Sequence, residues 1–123
     1  MKKKEIRTPK APLPGGPYSQ GLNVGGRIYV AGQRPQDAET GAIPEDFAGQ
    51  ARLCLDNIRS ILEEAGASMN DVVMVTVYLA DIADFAEFNE IYRQYFDAPY
   101  PTRTTVCCTL RGILVEINAI AEV

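Results

Sequence analysis

The sequence contains no histidine and no tryptophan, and its cysteines number only three, two of them adjacent at Cys107-Cys108. Without histidine there is no Ser-His or Cys-His nucleophile pair, no imidazole acid–base step and no His-ligated metal. An odd, partly adjacent set of cysteines does not make a disulfide framework. With Cys54 as their only other partner, Cys107 and Cys108 cannot complete a four-ligand zinc site. These thiols read as ordinary strand residues with no redox role, and neither a metal nor a cofactor is expected. Also missing is any run of 18 or more apolar residues, the length a membrane helix needs. The basic start Lys2–Lys4 leads into Thr8, Pro9, Lys10 and Pro12 rather than the apolar stretch of a secretory signal. These absences point to the cytoplasm and to no membrane partner. Basic charge is in deficit too: twelve Lys and Arg stand against sixteen Asp and Glu, a formal charge of −4. Phosphate backbones need a basic surface, so nucleic acid is disfavoured as a partner.

What is present suits one domain over residues 1–123, with 46% hydrophobic residues. Residues 1–10 read as a flexible tail, and residues 9–17, rich in Pro and Gly, as an irregular entry segment. Gly25-Gly26 separates Leu22–Val24 from Arg27–Gly32, a hairpin signal. Pro44-Glu45-Asp46 opens a helix whose apolar stripe runs through Phe47, Ala51, Leu55, Ile58, Leu62 and Ala65, with Gly66 as its stop. Val72–Leu79 is a β-branched apolar run, hence a buried strand. Asp84 with Glu87 predicts the cap of a second helix through Phe85, Phe88, Tyr92 and Phe96. Thr102–Leu110 and Leu114–Val123 are the last strands, joined by an Arg111-Gly112 turn. The order is β-β-α-β-α-β-β, an α+β chain in which two helices cover one face of the sheet. The strand at 72–79 is nonetheless apolar on both faces, with Val73, Val75, Val77 and Leu79 on one and Val72, Met74 and Tyr78 on the other. Self-association would cover the second face; the alternative is a monomer with a thin core there.

Few residues are candidates for chemistry. Arg103 shares a strand face with Thr105, Cys107 and Thr109, where a guanidinium among hydroxyls suits a carboxylate clamp or an ordinary surface ion pair. Asn118 shares a face with Leu114, Glu116, Ile120 and Glu122, a mixture that fits an interface, a cleft wall or an edge position. Tyr18 is either a hydrogen-bonding lid or a ring covering the core.

Together, Gly16-Pro17-Tyr18-Ser19-Gln20-Gly21, Ala31-Gly32-Gln33, Gln50-Ala51-Arg52 with Asn57-Ile58, Phe85–Tyr92, Tyr100-Pro101-Thr102-Arg103-Thr104 and Val115–Ala121 resemble the ordered motifs of the Rid (YjgF/YER057c/UK114) family, from about residue 11 to the end. The resemblance implies a chorismate-mutase-like mixed sheet with two helices on one face and a homotrimer with ligand clefts between subunits. It also implies hydrolysis of 2-imino acids or their enamine tautomers, such as 2-aminoacrylate and 2-iminobutanoate, to 2-oxo acids and ammonia. A non-catalytic carboxylate-binding member and an endoribonuclease or translation inhibitor are the alternatives. Residue by residue, Arg103 matches the arginine that binds the substrate carboxylate, Tyr18 the tyrosine that closes the cleft, and Asn89 the asparagine lining it. Ala31 and Gly32 match the segment whose backbone faces the ligand, Ala31 standing where many members have Ser. Thr105 stands where many have Cys. Asn118 is matched to the glutamate that positions the attacking water, and an amide can orient water but not take its proton. Glu116, two residues earlier on the same strand face and about 6–7 Å away, is the other carboxylate in reach.

Overall fold

The computed structural model describes residues 2–123. Six strands form one sheet: β1 (Lys4–Ile6), β2 (Gly21–Val24), β3 (Arg27–Gln33), β4 (Val72–Leu79), β5 (Thr102–Cys107) and β6 (Val115–Glu122), with helices α1 (Phe47–Glu64) and α2 (Phe85–Tyr92). The order across the sheet is β1-β2-β3-β6-β4-β5, and only the β4–β5 pair is parallel. Among the described residues no helix is long and apolar enough to cross a membrane.

The apolar period of α1 decides its orientation. Phe47, Ala51, Cys54, Leu55, Ile58, Ile61 and Leu62 are buried against Ile28, Val30, Val75, Val77, Val115, Ile117 and Ala119 of the sheet. Its start is fixed by Asp46, whose carboxylate accepts from the Gly49 amide at 3.1 Å. Gly66 follows its end with φ of +79°.

Several expectations need correction. The segment expected as a flexible tail contains β1, an edge strand in which Lys4 and Glu5 stay exposed while Ile6 is buried. The buried amide of Gln20 ties the following segment down. Its oxygen accepts from Thr8 N at 2.7 Å, and its nitrogen donates to the Thr8, Ala11 and Pro12 carbonyls. Asp84 makes no side-chain cap for α2; Asp81 caps the preceding 3-10 turn instead, accepting from Ala83 N. The helix ends at Tyr92, although Phe96 still reaches the core. The last two strands stop at Cys107 and begin at Val115, and they do not pair: β4 lies between them.

A bulge resets β4. Val72 faces Ala121 and Met74 faces Ile120, so Val73 is an extra residue; Val72 turns inward and Val73 outward. Beyond the bulge, Val75, Val77 and Leu79 point under the helices. Across the opposite face run three rows in register: Tyr29–Ile120–Met74–Thr102, Asn118–Thr76–Thr104 and Glu116–Tyr78–Val106. Tyr29, Met74 and Val106 are about 40% exposed, at 39%, 43% and 41%. Among the described residues no second layer covers this face; Tyr29, Ile120 and Met74 are apolar at one end, Tyr78 and Val106 at the other, and a polar row lies between.

Candidate functional site

Register places Arg103 opposite Val75, hence on the helix side of the edge strand β5. Its guanidinium donates to Asn89 Oδ1 of α2 at 2.7 Å. Three rings surround the same group: its carbon lies 4.7 Å from the centroid of Tyr92, 5.4 Å from Phe88 and 5.6 Å from Phe85. Helical spacing brings these residues together, since 85, 88, 89 and 92 recur at three and four along one face of α2. Among the described residues no carboxylate lies within 4 Å of Arg103. The cation is therefore held in place by neutral groups, with its charge left for something else. Beside it a cavity of about 260 Å³ is lined by Asn89, Tyr92, Arg93, Tyr100, Pro101 and Arg103. Thr105 follows on the same strand face, opposite Val77 and half-buried.

Tyr92, expected from the sequence only as part of the second helix, stands beside Arg103. The residue is only 5% exposed, and its hydroxyl has no hydrogen-bond partner among the described residues. Burial pushes its ionisation up to about 12, with the Arg103 charge acting in the opposite direction. The group stays a neutral donor at any ordinary pH. The signal in the sequence was its place one turn beyond Phe88, but spacing alone says nothing about an orphaned hydroxyl.

The other candidates gather elsewhere. β3 carries its own bulge: Val30 faces Ala119 while Gln33 faces Ile117, so three steps on one strand match two on the other. Ala31 and Gly32 occupy this irregularity, with Ala31 N donating to Gln20 O at 2.9 Å. Gly32 leaves room for Glu116, because a Cβ there would lie 2.5 Å from Glu116 Oε2 and the carboxylate would have to move aside. The Glu116 carboxylate thus rests directly against the bulged backbone. Tyr18 is 55% exposed, its hydroxyl accepting from Gly15 N at 3.2 Å, and it lines a cavity of about 530 Å³ together with Gly32, Gln33, Arg34, Gln36 and Arg111. Cys54, beneath this region, donates to Gln33 O at 3.2 Å. Burial raises its thiol ionisation well above the usual range, the Glu116 charge adds to that rise, and Arg34 opposes it. It is no nucleophile.

Asn118, matched by sequence to the water-positioning residue, sits in the polar middle row of the open face beside Thr76. The carboxylate that touches the Gly32 bulge belongs to Glu116. The two share one strand face, and the bulge in β3 is what distinguishes them.

One chain does not bring all of these residues together. Arg103 and Asn89 stand at the β5 edge on the helix side, whereas Tyr18, Gly32 and Glu116 stand around β3. Three strand spacings, about 14 Å, separate β3 from β5. The described residues thus form two separate groups: Arg103 with Asn89 and the three rings at the β5 edge, and Glu116 against the bulged backbone at Gly32, which lines the Tyr18 cavity.

The comparisons with known proteins agree with one another. Residues 8–123 match the family model described as Endoribonuclease L-PSP. A RutC family protein of Pyrococcus abyssi is 52% identical over 124 residues, covering 98% of each chain. The 2-iminobutanoate/2-iminopropanoate deaminase of Escherichia coli is 41% identical over 96% of each. In three dimensions the chain superposes on the crystal structure of E. coli TdcF with bound serine at a TM-score of 0.94 and 43% identity, covering 98% of this chain and 99% of that one. The chain belongs to the Endoribonuclease L-PSP family, the family of the Rid (YjgF) proteins.

Proposed function

We propose that this chain hydrolyses small 2-imino acids and their enamine tautomers, such as 2-aminoacrylate and 2-iminobutanoate, to 2-oxo acids and ammonia. The cleft is completed between two copies of the chain in a homotrimer. The observation that carries this reading is Arg103: a guanidinium oriented by Asn89 and three rings, with no counter-charge, facing a small cavity. Such a group is prepared for a bidentate carboxylate. The name of the E. coli deaminase relative supplies the reaction class.

Arg103 holds the substrate carboxylate, with Thr105 beside it on the same strand. The second copy brings Tyr18, the Ala31–Gly32 backbone and Glu116. Glu116 accepts a proton from water as the oxygen adds to the carbon of the protonated imine, forming a carbinolamine. It returns that proton to nitrogen and then takes the proton of the carbinolamine hydroxyl; the C–N bond breaks, and ammonia leaves as the C=O bond forms. Tyr18 shields the site. Imine hydrolysis is easy chemistry, so orientation and one positioned base suffice for useful acceleration. The two groups of one chain lie too far apart to share a small acid, and the open apolar sheet face offers a surface for the second copy.

The matching of Asn118 to the water-positioning glutamate gives way here to Glu116, on the contact with Gly32. That removes the reason for a binding-only role, which rested on an amide in place of the base. The formal charge of −4 likewise favours a small acid over RNA at the arginine. The test is to add purified protein to a threonine dehydratase reaction and follow 2-oxobutanoate. Faster release is expected, and no acceleration at any protein concentration would refute the proposal.

A further inference from the structure

The Tyr18 cavity has a charge balance that a small monocarboxylate does not explain. In a chain of formal charge −4, it is lined by two arginines, Arg34 and Arg111, by glutamines, and by no carboxylate. Neither arginine has an acidic partner within 4 Å among the described residues. Arg34 is built into position, and Arg111 is tied to it through its backbone. The carbonyl of Arg34 accepts from the buried Asn57 amide at 3.2 Å, and the same amide holds the Gln36 carbonyl at 3.1 Å. Arg34 then donates from its guanidinium to the Arg111 carbonyl at 3.3 Å, bringing the turn before β6 against the loop after β3. The Glu116 carboxylate lies against Gly32 and does not line this cavity. At about 530 Å³ the space exceeds that beside Arg103 and is ample for more than a four-carbon acid.

We propose that this cavity is a second anion subsite, in which Arg34 and Arg111 take the side-chain carboxylate of a dicarboxylic 2-imino acid. The inference rests on the proposed function, because the first carboxylate is the one held by Arg103. Arg103 binds what all 2-imino acids share; Arg34 and Arg111 read what distinguishes the dianions. Selectivity follows because two unpaired cations gain nothing from an alkyl side chain, while a carboxylate there gains charge-assisted hydrogen bonds.

Binding of the product acids tests this without depending on turnover. Calorimetry with 2-oxoglutarate and 2-oxobutanoate on the native protein is expected to give at least a tenfold tighter dissociation constant for 2-oxoglutarate. Arg34→Gln and Arg111→Gln should each remove most of that ratio while leaving 2-oxobutanoate within about twofold. Arg34→Lys should keep part of the ratio, and added salt should weaken 2-oxoglutarate more steeply. Equal affinities in the native protein, or a preference that survives both glutamine variants, would overturn the subsite. Binding of 2-oxobutanoate alone overturns the subsite and leaves the proposed function standing. Binding of neither acid overturns both. As a kinetic check, Arg34→Gln should raise KM for 2-iminoglutarate with kcat little changed, a split that general loss of structure would not produce.

Discussion

Replacing Arg103 by lysine keeps the positive charge and removes the planar fork, so it separates charge from geometry. The native guanidinium makes one hydrogen bond of 2.7 Å to Asn89 and lies within 5.6 Å of three ring centroids, which fixes its plane before any ligand arrives. A lysine ammonium can satisfy Asn89 or a ligand oxygen, but it cannot present two parallel N–H groups. The substitution therefore loses at least one charge-assisted hydrogen bond to the substrate, about 1.5–3 kcal/mol. At about 1.4 kcal/mol per factor of ten, kcat/KM should fall roughly 10- to 150-fold. Arg103→Ala loses the charge as well and should fall further. The assay is release of 2-oxobutanoate from 2-iminobutanoate supplied by a threonine dehydratase, with the urea midpoint of each variant as a folding control. If Arg103→Lys stays within threefold of the native protein while remaining folded, the guanidinium geometry is not what holds the substrate.

Tyr92→Phe removes a buried hydroxyl that has no partner in the protein, so its denaturation midpoint should be unchanged or higher, while affinity for 2-oxobutanoate falls if that hydroxyl serves the ligand. The same residue makes a pH prediction. The unfolded chain releases the tyrosine proton near the ordinary value of about 10, and the folded one holds it until about 12. The unfolded state therefore binds fewer protons over that window, and stability falls as pH rises from 10 to 12. Chemical denaturation of Tyr92→Phe should show a shallower fall. Asp46→Ala should cost about 1 kcal/mol in urea denaturation, because the Gly49 amide at the start of α1 loses its acceptor.

Much of the architecture could be read from periodicity. The stripe of α1 folds as its pattern dictates, and the β-branched run at 72–79 is a strand as expected. Other features depended on partners that a local pattern does not contain. Lys4-Glu5-Ile6 looks like a solvated tail, and becomes a strand because β2 offers an edge where two charged side chains can face water. Asp84 has the spacing of a cap, but a 3-10 turn capped by Asp81 leads the chain into α2 and leaves the Asp84 side chain without a capping bond. The sequence neighbours β5 and β6 are kept apart by β4, since direction and pairing are set by the whole sheet. Val72 and Val73 exchange faces at a bulge that no alternation rule predicts.

The site shows the same division. The motifs single out Arg103, Asn89 and Tyr18, but not their placement in two separate parts of the chain, which depends on strand order. Glu116 and Asn118 are equivalent by strand period, both on the open face. The bulge at Ala31–Gly32 brings one of them against backbone, and a bulge is a register property of two strands that one strand's sequence does not reveal. Arg34 and Arg111 are scattered in sequence and meet only because Asn57 and the β6 turn converge.

The central claim, hydrolysis with Glu116 as the base, is tested most directly by comparing Glu116→Gln with Asn118→Ala on 2-iminobutanoate. Glu116→Gln should lower kcat by about 10²- to 10⁴-fold, the usual contribution of a positioned general base, while Asn118→Ala stays within about threefold. Full activity in Glu116→Gln, or a large loss confined to Asn118→Ala, would contradict the account.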